Sequence, residues 1–151
     1  MELGVADYLA FVDVTLDGYR RAIDRLDDTS ANTTPPLPGA NTGYALVTHA
    51  TSATRWWLLH ILAGQSTDRQ RDDEFTSHGP VSDLHDAISR LHTDLHEAAP
   101  TLGTVSALAN DPGWAPEGRA WTVGGVLMHA YEELAQHLGH LEITVDLVAP
   151  G

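Results

Sequence analysis

The sequence predicts an all-α fold, a four-helix bundle with long connecting loops, on three observations. Apolar residues recur at alternating steps of three and four in four separate stretches. Three segments rich in Pro, Gly, Ser, Thr and Asp divide those stretches. No stretch of useful length alternates with the period of two that a strand needs, and the sequence holds no internal repeat or low-complexity tract.

In the first helix Leu9, Val12, Leu16, Tyr19, Ile23 and Leu26 form the inward stripe. It fades into Asp27-Asp28-Thr29, and Pro35, Pro36 and Pro38 cannot continue it. The second runs from about Thr42 to Ala63, with Leu46, Ala50, Ala53, Trp57 and Ile61 inward and Gly64 as its C-terminal cap. The third begins near Pro80, a favoured first-turn residue, buries Leu84, Ile88, Leu91 and Leu95, and should stop by Pro100. The fourth opens at Thr122 and runs to about Val148, its stripe being Leu127, Ala130, Leu134, Leu141, Val145 and Val148. Helices of roughly 17 to 27 residues are ordinary. Loops of about 12 to 22 residues exceed the usual helix-to-helix connection, so they cross the bundle ends or wall a pocket.

Composition narrows the chemistry. The 151 residues suit one domain, 1–151, with its own core. No apolar run approaches the roughly 18 residues of a membrane span, and Met1-Glu2-Leu3-Gly4 lacks the start of a secretory signal, so a cytoplasmic address is expected. Asn32-Thr33-Thr34 matches a glycosylation sequon, which means little without secretion. A formal net charge of -13 argues against nucleic acid as partner. All 8 basic residues are Arg, which excludes a Schiff-base lysine and a Walker-type phosphate loop, and the Arg bias suggests a GC-rich genome. There is no Cys, so the chain has no thiol nucleophile, no disulfide and no thiolate ligand of its own. Any sulfur chemistry must use a small-molecule thiol, and any metal must be held by His, Asp or Glu.

Glu133 and His137 stand four residues apart in the fourth helix and therefore share a face, one turn apart. With the apolar arc centred near Ala130, His137 falls about 20° from the centre and Glu133 about 60°. In the second helix His49 lies about 60° from Leu46, on the side of Ala53, with small residues beside it. A lone His on an apolar face is more often a hydrogen-bonded core residue, and a lone Glu at the arc's edge is more often half exposed. Three inward groups of ligand type favour a metal site built between facing helices. His129 and His140 flank the pair, the first able to replace a ligand or to support one from behind, the second able to hydrogen-bond a ligand or a substrate. Trp56 lies on the His49 side and is read as a pocket wall, while Arg55 points away and is read as a surface ion pair. His85, His92 and His96 line a flank of the third helix about 100° from its stripe, a solvated face able to take up metal adventitiously.

A His in the second helix followed by Arg55-Trp56-Trp57, then a last helix reading Trp121-Thr122-Val123, His129-Ala130-Tyr131-Glu132-Glu133 and His137-Leu138-Gly139-His140, resembles the DinB/YfiT-like superfamily. The resemblance covers nearly the whole chain, and the branch it most resembles is the actinobacterial one that includes the N-terminal domain of mycothiol-dependent maleylpyruvate isomerase. It implies a four-helix bundle binding a divalent metal with one His from the second helix and a pair from the last. Those positions fall on His49, on Glu133 where the common pattern has His, and on His137. A Glu there is similar to the mycothiol-dependent arrangement.

A His, Glu, His set leaves a zinc ion an open position, the layout of a catalytic site. Zn2+ is the expected ion, with Ni2+, Fe2+, Co2+ or Mn2+ accepted by the same donors. The reaction the resemblance favours is transfer or isomerisation by a low-molecular-weight thiol cosubstrate of the mycothiol type, acting on a small-molecule substrate. The alternatives are a metal-dependent hydrolase and a non-enzymatic bundle that binds metal or a small ligand. A homodimer through an exposed helix face is a further expectation.

Overall fold

A computed structural model of the chain describes residues 4–150. Residues 1–3, on which the absence of a secretory signal was read, and residue 151 lie outside it. All regular structure among the described residues is helical. The first helix, α1, spans Val5–Ile23, and a short α2 follows at Asp28–Ala31. Helix α3, Gly43–Arg55, continues into a π-helical segment, Trp56–Leu62. A second short helix, α4, covers Arg71–Glu74, α5 covers Val81–Leu102, and α6 covers Val123–Val148 after a 3-10 turn at Pro116–Gly118.

The four long helices pack in the cyclic order α1, α5, α3, α6. Helices consecutive in sequence are therefore neighbours only for α3 and α5. From α1 to α3, and from α5 to α6, the chain must cross the end of the bundle, which is why those connections are long. The predicted stripes meet in one core: Leu16, Tyr19 and Ile23 of α1, Leu46 and Ala50 of α3, Ile88 and Leu91 of α5, and Ala130, Leu134 and Leu141 of α6 are all fully buried. Leu127 and Val148, at the two ends of the α6 stripe, are only half-buried. The Tyr19 hydroxyl donates to the Leu134 carbonyl at 2.9 Å, pinning α1 to α6 one residue from Glu133.

Boundaries follow local chemistry. The Thr42 and Thr122 hydroxyls accept the Ala45 and Gly125 amides, capping α3 and α6. Gly64 takes a φ of 72° just past the π-helical segment, the left-handed turn expected of a terminating glycine. Pro80 stands one position earlier than expected, as the N-cap of α5. Pro100 does not stop α5, correcting that expectation. It lies in the last turn, where its missing N–H and its crowding of the preceding turn disturb little helix beyond it, and the Gly103 amide still closes on the Ala99 carbonyl.

Two short helices were not expected. Asp27 and Ser30 form a reciprocal capping box that starts α2 where the first helix fades. The sequon residue Asn32 is engaged there, its amide donating to the Asp28 and Gly79 carbonyls at 2.7 and 2.8 Å. The π-helical segment buries Trp57, Leu58, Leu59, Ile61 and Leu62, more of its circumference than one stripe. The α5–α6 connection covers its outer side, with the Ala109 amide on the Ile61 carbonyl and the Asn110 side chain on the His60 carbonyl. Among the described residues no helix is long and apolar enough to cross a membrane.

Tyr19→Phe keeps the ring packed and removes only the bond to Leu134. It should cost about 1 kcal/mol of stability, read in urea unfolding as a lower midpoint with an unchanged slope.

Candidate metal centre

Helices α3 and α6 are packed neighbours, and their facing sides bring His49, Glu133 and His137 together. One ligand-type atom from each lies within 4.8 Å of the other two. His49 Nε2 is 3.5 Å from Glu133 Oε2, and His137 Nε2 is 3.7 Å from the same oxygen. Those separations are too long for good hydrogen bonds. Donors placed about 2.0–2.2 Å from a tetrahedral zinc stand roughly 3.3–3.6 Å from one another. Two imidazoles and a carboxylate at this spacing therefore fit a divalent cation. The Nδ1 of His137 is buried without a hydrogen-bond partner.

His49 is held on its far side by a residue that sequence reasoning missed. Its Nδ1 lies 2.7 Å from Glu74 Oε2, and both side chains are buried. Glu74 in turn accepts from the Ser52 hydroxyl at 2.7 Å and from Arg69 Nε and Nη2 at 2.8 and 3.2 Å. With both oxygens saturated, Glu74 draws the imidazole proton to Nδ1 and leaves the Nε2 lone pair facing Glu133 and His137. Phe75, next in sequence, lies over the His49 ring with centroids 4.6 Å apart. The only sequence signal for either residue is its place in the loop after the second helix.

The charges follow from these contacts. Burial alone would raise the Glu74 carboxyl, but His49, Arg69 and Ser52 hold it down at about 2. The Glu133 carboxyl stands well below the carboxylate range because His137 and His49 face it, against the opposing effect of burial. Burial pushes the His49 imidazole down, and Glu133 and Glu74 more than reverse this, so it lies above its ordinary value.

Beside the trio lies a cleft of about 640 Å³. His49 and Glu133 reach it from one side. Trp56, Trp57, Trp114 and His129 supply aromatic wall, and Arg69 and Arg71 stand on the cationic side. Trp56 is among the residues that line this cleft. The Arg69 guanidinium lies 5.5 Å from the Trp56 ring centre. Trp114 comes from the α5–α6 connection and is tied by the Trp121 indole, which donates to its carbonyl at 2.6 Å. Neither Trp114 nor Pro112 stood out in the sequence as part of a site.

The flanking histidines differ. His129 lines the cleft with its Nε2 3.9 Å from Glu133 Oε1. His140 is exposed, stacks on His137 with centroids 6.2 Å apart, and does not line the cleft. Partial desolvation by its neighbours and the nearby His137 push its imidazole down. Arg55 does form an ion pair, with Asp94 of α5. A smaller cleft of about 310 Å³ on that side of α3 shares Arg69 but contains none of the three ligand-type residues.

The family model described as Mycothiol-S-transferase matches residues 7–149, nearly the whole chain. That family is DinB-like, in agreement with the motifs in the second and last helices. No curated protein and no solved structure matches the chain significantly.

Glu74→Gln preserves shape and removes the charge. Metal affinity should fall about 10- to 100-fold, read by competition with a chromophoric chelator. In metal-free protein the same change should cost about 3 kcal/mol at neutral pH, because Arg69 loses its buried partner. The folded-state pKa is depressed, so this stabilisation is present above the ordinary 4.5 and lost as pH falls toward about 2. Unfolding curves of the two proteins should therefore converge across that window.

Proposed function

The chain belongs to the mycothiol-S-transferase family, and on that premise we propose that it transfers the sulfur of a low-molecular-weight thiol, mycothiol first, to a small electrophile, with His49, Glu133 and His137 holding a divalent ion. The observation that carries this reading is the convergence of the three donors beside an aromatic cleft, with His49 aimed by Glu74. Zinc suits two imidazoles and a carboxylate, and nickel, iron, cobalt or manganese would accept the same set.

Bound there, the ion would supply Lewis-acid charge that makes a thiolate available near neutral pH. The chain has no cysteine, so the sulfur must come from the cosubstrate. Glu74 keeps the His49 proton on Nδ1, and Glu133 remains an anion, so both present lone pairs to one point. Trp56, Trp57 and Trp114 offer the electrophile an apolar surface and displace water from it. Arg69 and Arg71 set positive charge near the cleft in an otherwise acidic protein. His129 stands where it can hydrogen-bond either substrate. In the transfer, the sulfur–carbon bond forms as the bond to the leaving group breaks, and the thiol proton departs with that group or to water. A cytoplasmic address belongs to this reading, because that is where a reduced thiol pool is kept.

After gel filtration the protein should retain one tightly held divalent ion per chain by elemental analysis, and His49→Ala or His137→Ala should lose it. Consumption of an activated electrophile should require mycothiol and fall to background in both variants. Turnover with water alone would assign a hydrolase instead. Retained metal in both variants would overturn the ligand assignment.

A further inference from the structure

The flank of α5 that the sequence presents as solvated carries more than histidines. Helices α1 and α5 run antiparallel and in contact, and the seam between them is a ladder of acid and imidazole. His85 Nε2 lies 3.6 Å from Asp24 Oδ1 near one end. Further along, Asp13 of α1 faces two histidines one turn apart on α5. His92 Nε2 is 3.5 Å from Asp13 Oδ1, and His96 Nε2 lies 2.9 and 3.1 Å from the two carboxylate oxygens. The His92 and His96 rings stand 4.4 Å apart and tilted by 38°, both turned to the same acid.

We propose that Asp13, His92 and His96 form a second divalent-metal site, separate from the His49 cluster, whose ion clips α1 to α5. The three donor atoms lie within 4.8 Å of one another, as in the first cluster. Separations of 2.9 and 3.5 Å bracket the edge of roughly 3.3 Å expected between donors about 2.0–2.1 Å from zinc. An entering ion therefore replaces the His96–Asp13 hydrogen bond with little movement of either helix. Two imidazoles and one carboxylate select the borderline ions, zinc, cobalt, nickel or copper, over magnesium or calcium.

The side chains of Asp13, His92 and His96 are 35%, 40% and 43% exposed. The ion's remaining positions would face solvent, and among the described residues no carboxylate fixes the far nitrogen of either imidazole. Affinity should therefore be about 10- to 100-fold weaker than at the cluster backed by Glu74. Since Asp13 and the histidines sit on different helices, occupancy stabilises the folded chain by mass action.

The test is titration of Zn2+ into metal-free, full-length protein. Wild type should take up two ions per chain, the second more weakly. His92→Ala combined with His96→Ala should take up one, at the tighter affinity. His49→Ala should also take up one, at the weaker affinity, and its melting temperature should still rise with zinc. Asp13→Asn should weaken that ion at least about tenfold, since it removes the anionic donor. All three side chains are partly exposed, so these variants should fold. Wild-type stoichiometry in the His92, His96 double variant would overturn the proposal. So would unchanged affinity in Asp13→Asn, which leaves only a pair of surface histidines, or the absence of any zinc in His49→Ala. Loss of an ion only on the α5 changes, with none lost in His49→Ala, would instead sink the first cluster and leave this one standing.

Discussion

The bond from His49 Nδ1 to Glu74 governs what the α3–α6 cluster can be. An imidazole buried between helices can take either tautomer, or a proton, and only one of those states presents a lone pair to Glu133 and His137. Glu74 selects that state because its second oxygen is already taken by Ser52 and Arg69, so it remains an anion. Arg69 is itself held against the Trp56 ring. Ion pair, imidazole and tryptophan thus form one connected unit. Its members come from α3, the start of the π-helical segment, α4 and the connection between α3 and α5, and none of it belongs to the helical stripes that fold the bundle.

The order of helices explains why the cleft lies where it does. Because α1 and α3 are diagonal, and α5 and α6 likewise, two connections must cross the bundle ends. The second carries Pro112 and Trp114 to the cleft wall and stitches itself to the π-helical segment through Ala109 and Asn110. The π-helical segment matters for the same reason. Its widened turns close α3 against α5, α6 and the crossing connection at once. A straight α-helix would expose part of that apolar surface. The cleft is therefore walled largely by irregular parts of the chain, positioned by the regular ones.

The regular parts were legible because burial imposes a period. Leu9 through Leu26, Leu46 through Ile61 and Leu84 through Leu95 all lie in the core as their spacing requires. His49, Glu133 and His137 were legible for the converse reason, as ligand-type groups on faces that should have been apolar. Glu74 gave no such contrast. It sits in Arg71-Asp72-Asp73-Glu74, a run of charge that reads as solvated loop, and only tertiary contact shows that one of four charged residues turns inward. Asp13 was hidden in the same way, since a carboxylate off the apolar stripe carries no sign of what faces it across a helix seam. The passage of α5 through Pro100 was missed because a proline two residues before a helix end, despite its lost N–H and its crowding of the preceding turn, leaves almost no helix beyond it to disrupt.

Comparing the two histidine and carboxylate clusters shows what burial adds to a donor set. Both pair an i,i+4 relation on one helix with a residue on its packed neighbour, and both gather three donors within the same radius. At the α1–α5 seam water competes for every donor, and His96 satisfies itself on Asp13 alone. At the α3–α6 seam His49 is buried and Glu133 and His137 are half-buried, the donors stand too far apart to satisfy one another, and His49 is already oriented. Unsatisfied polarity in a buried place, as at the His137 Nδ1, is costly to the apo fold. It persists where a ligand can relieve it, and the aromatic cleft beside these donors is the route by which a substrate would arrive. On the two proposals above, the same three residue types would make a surface clip in one place and a reactive centre in the other, and the difference lies in what stands behind them.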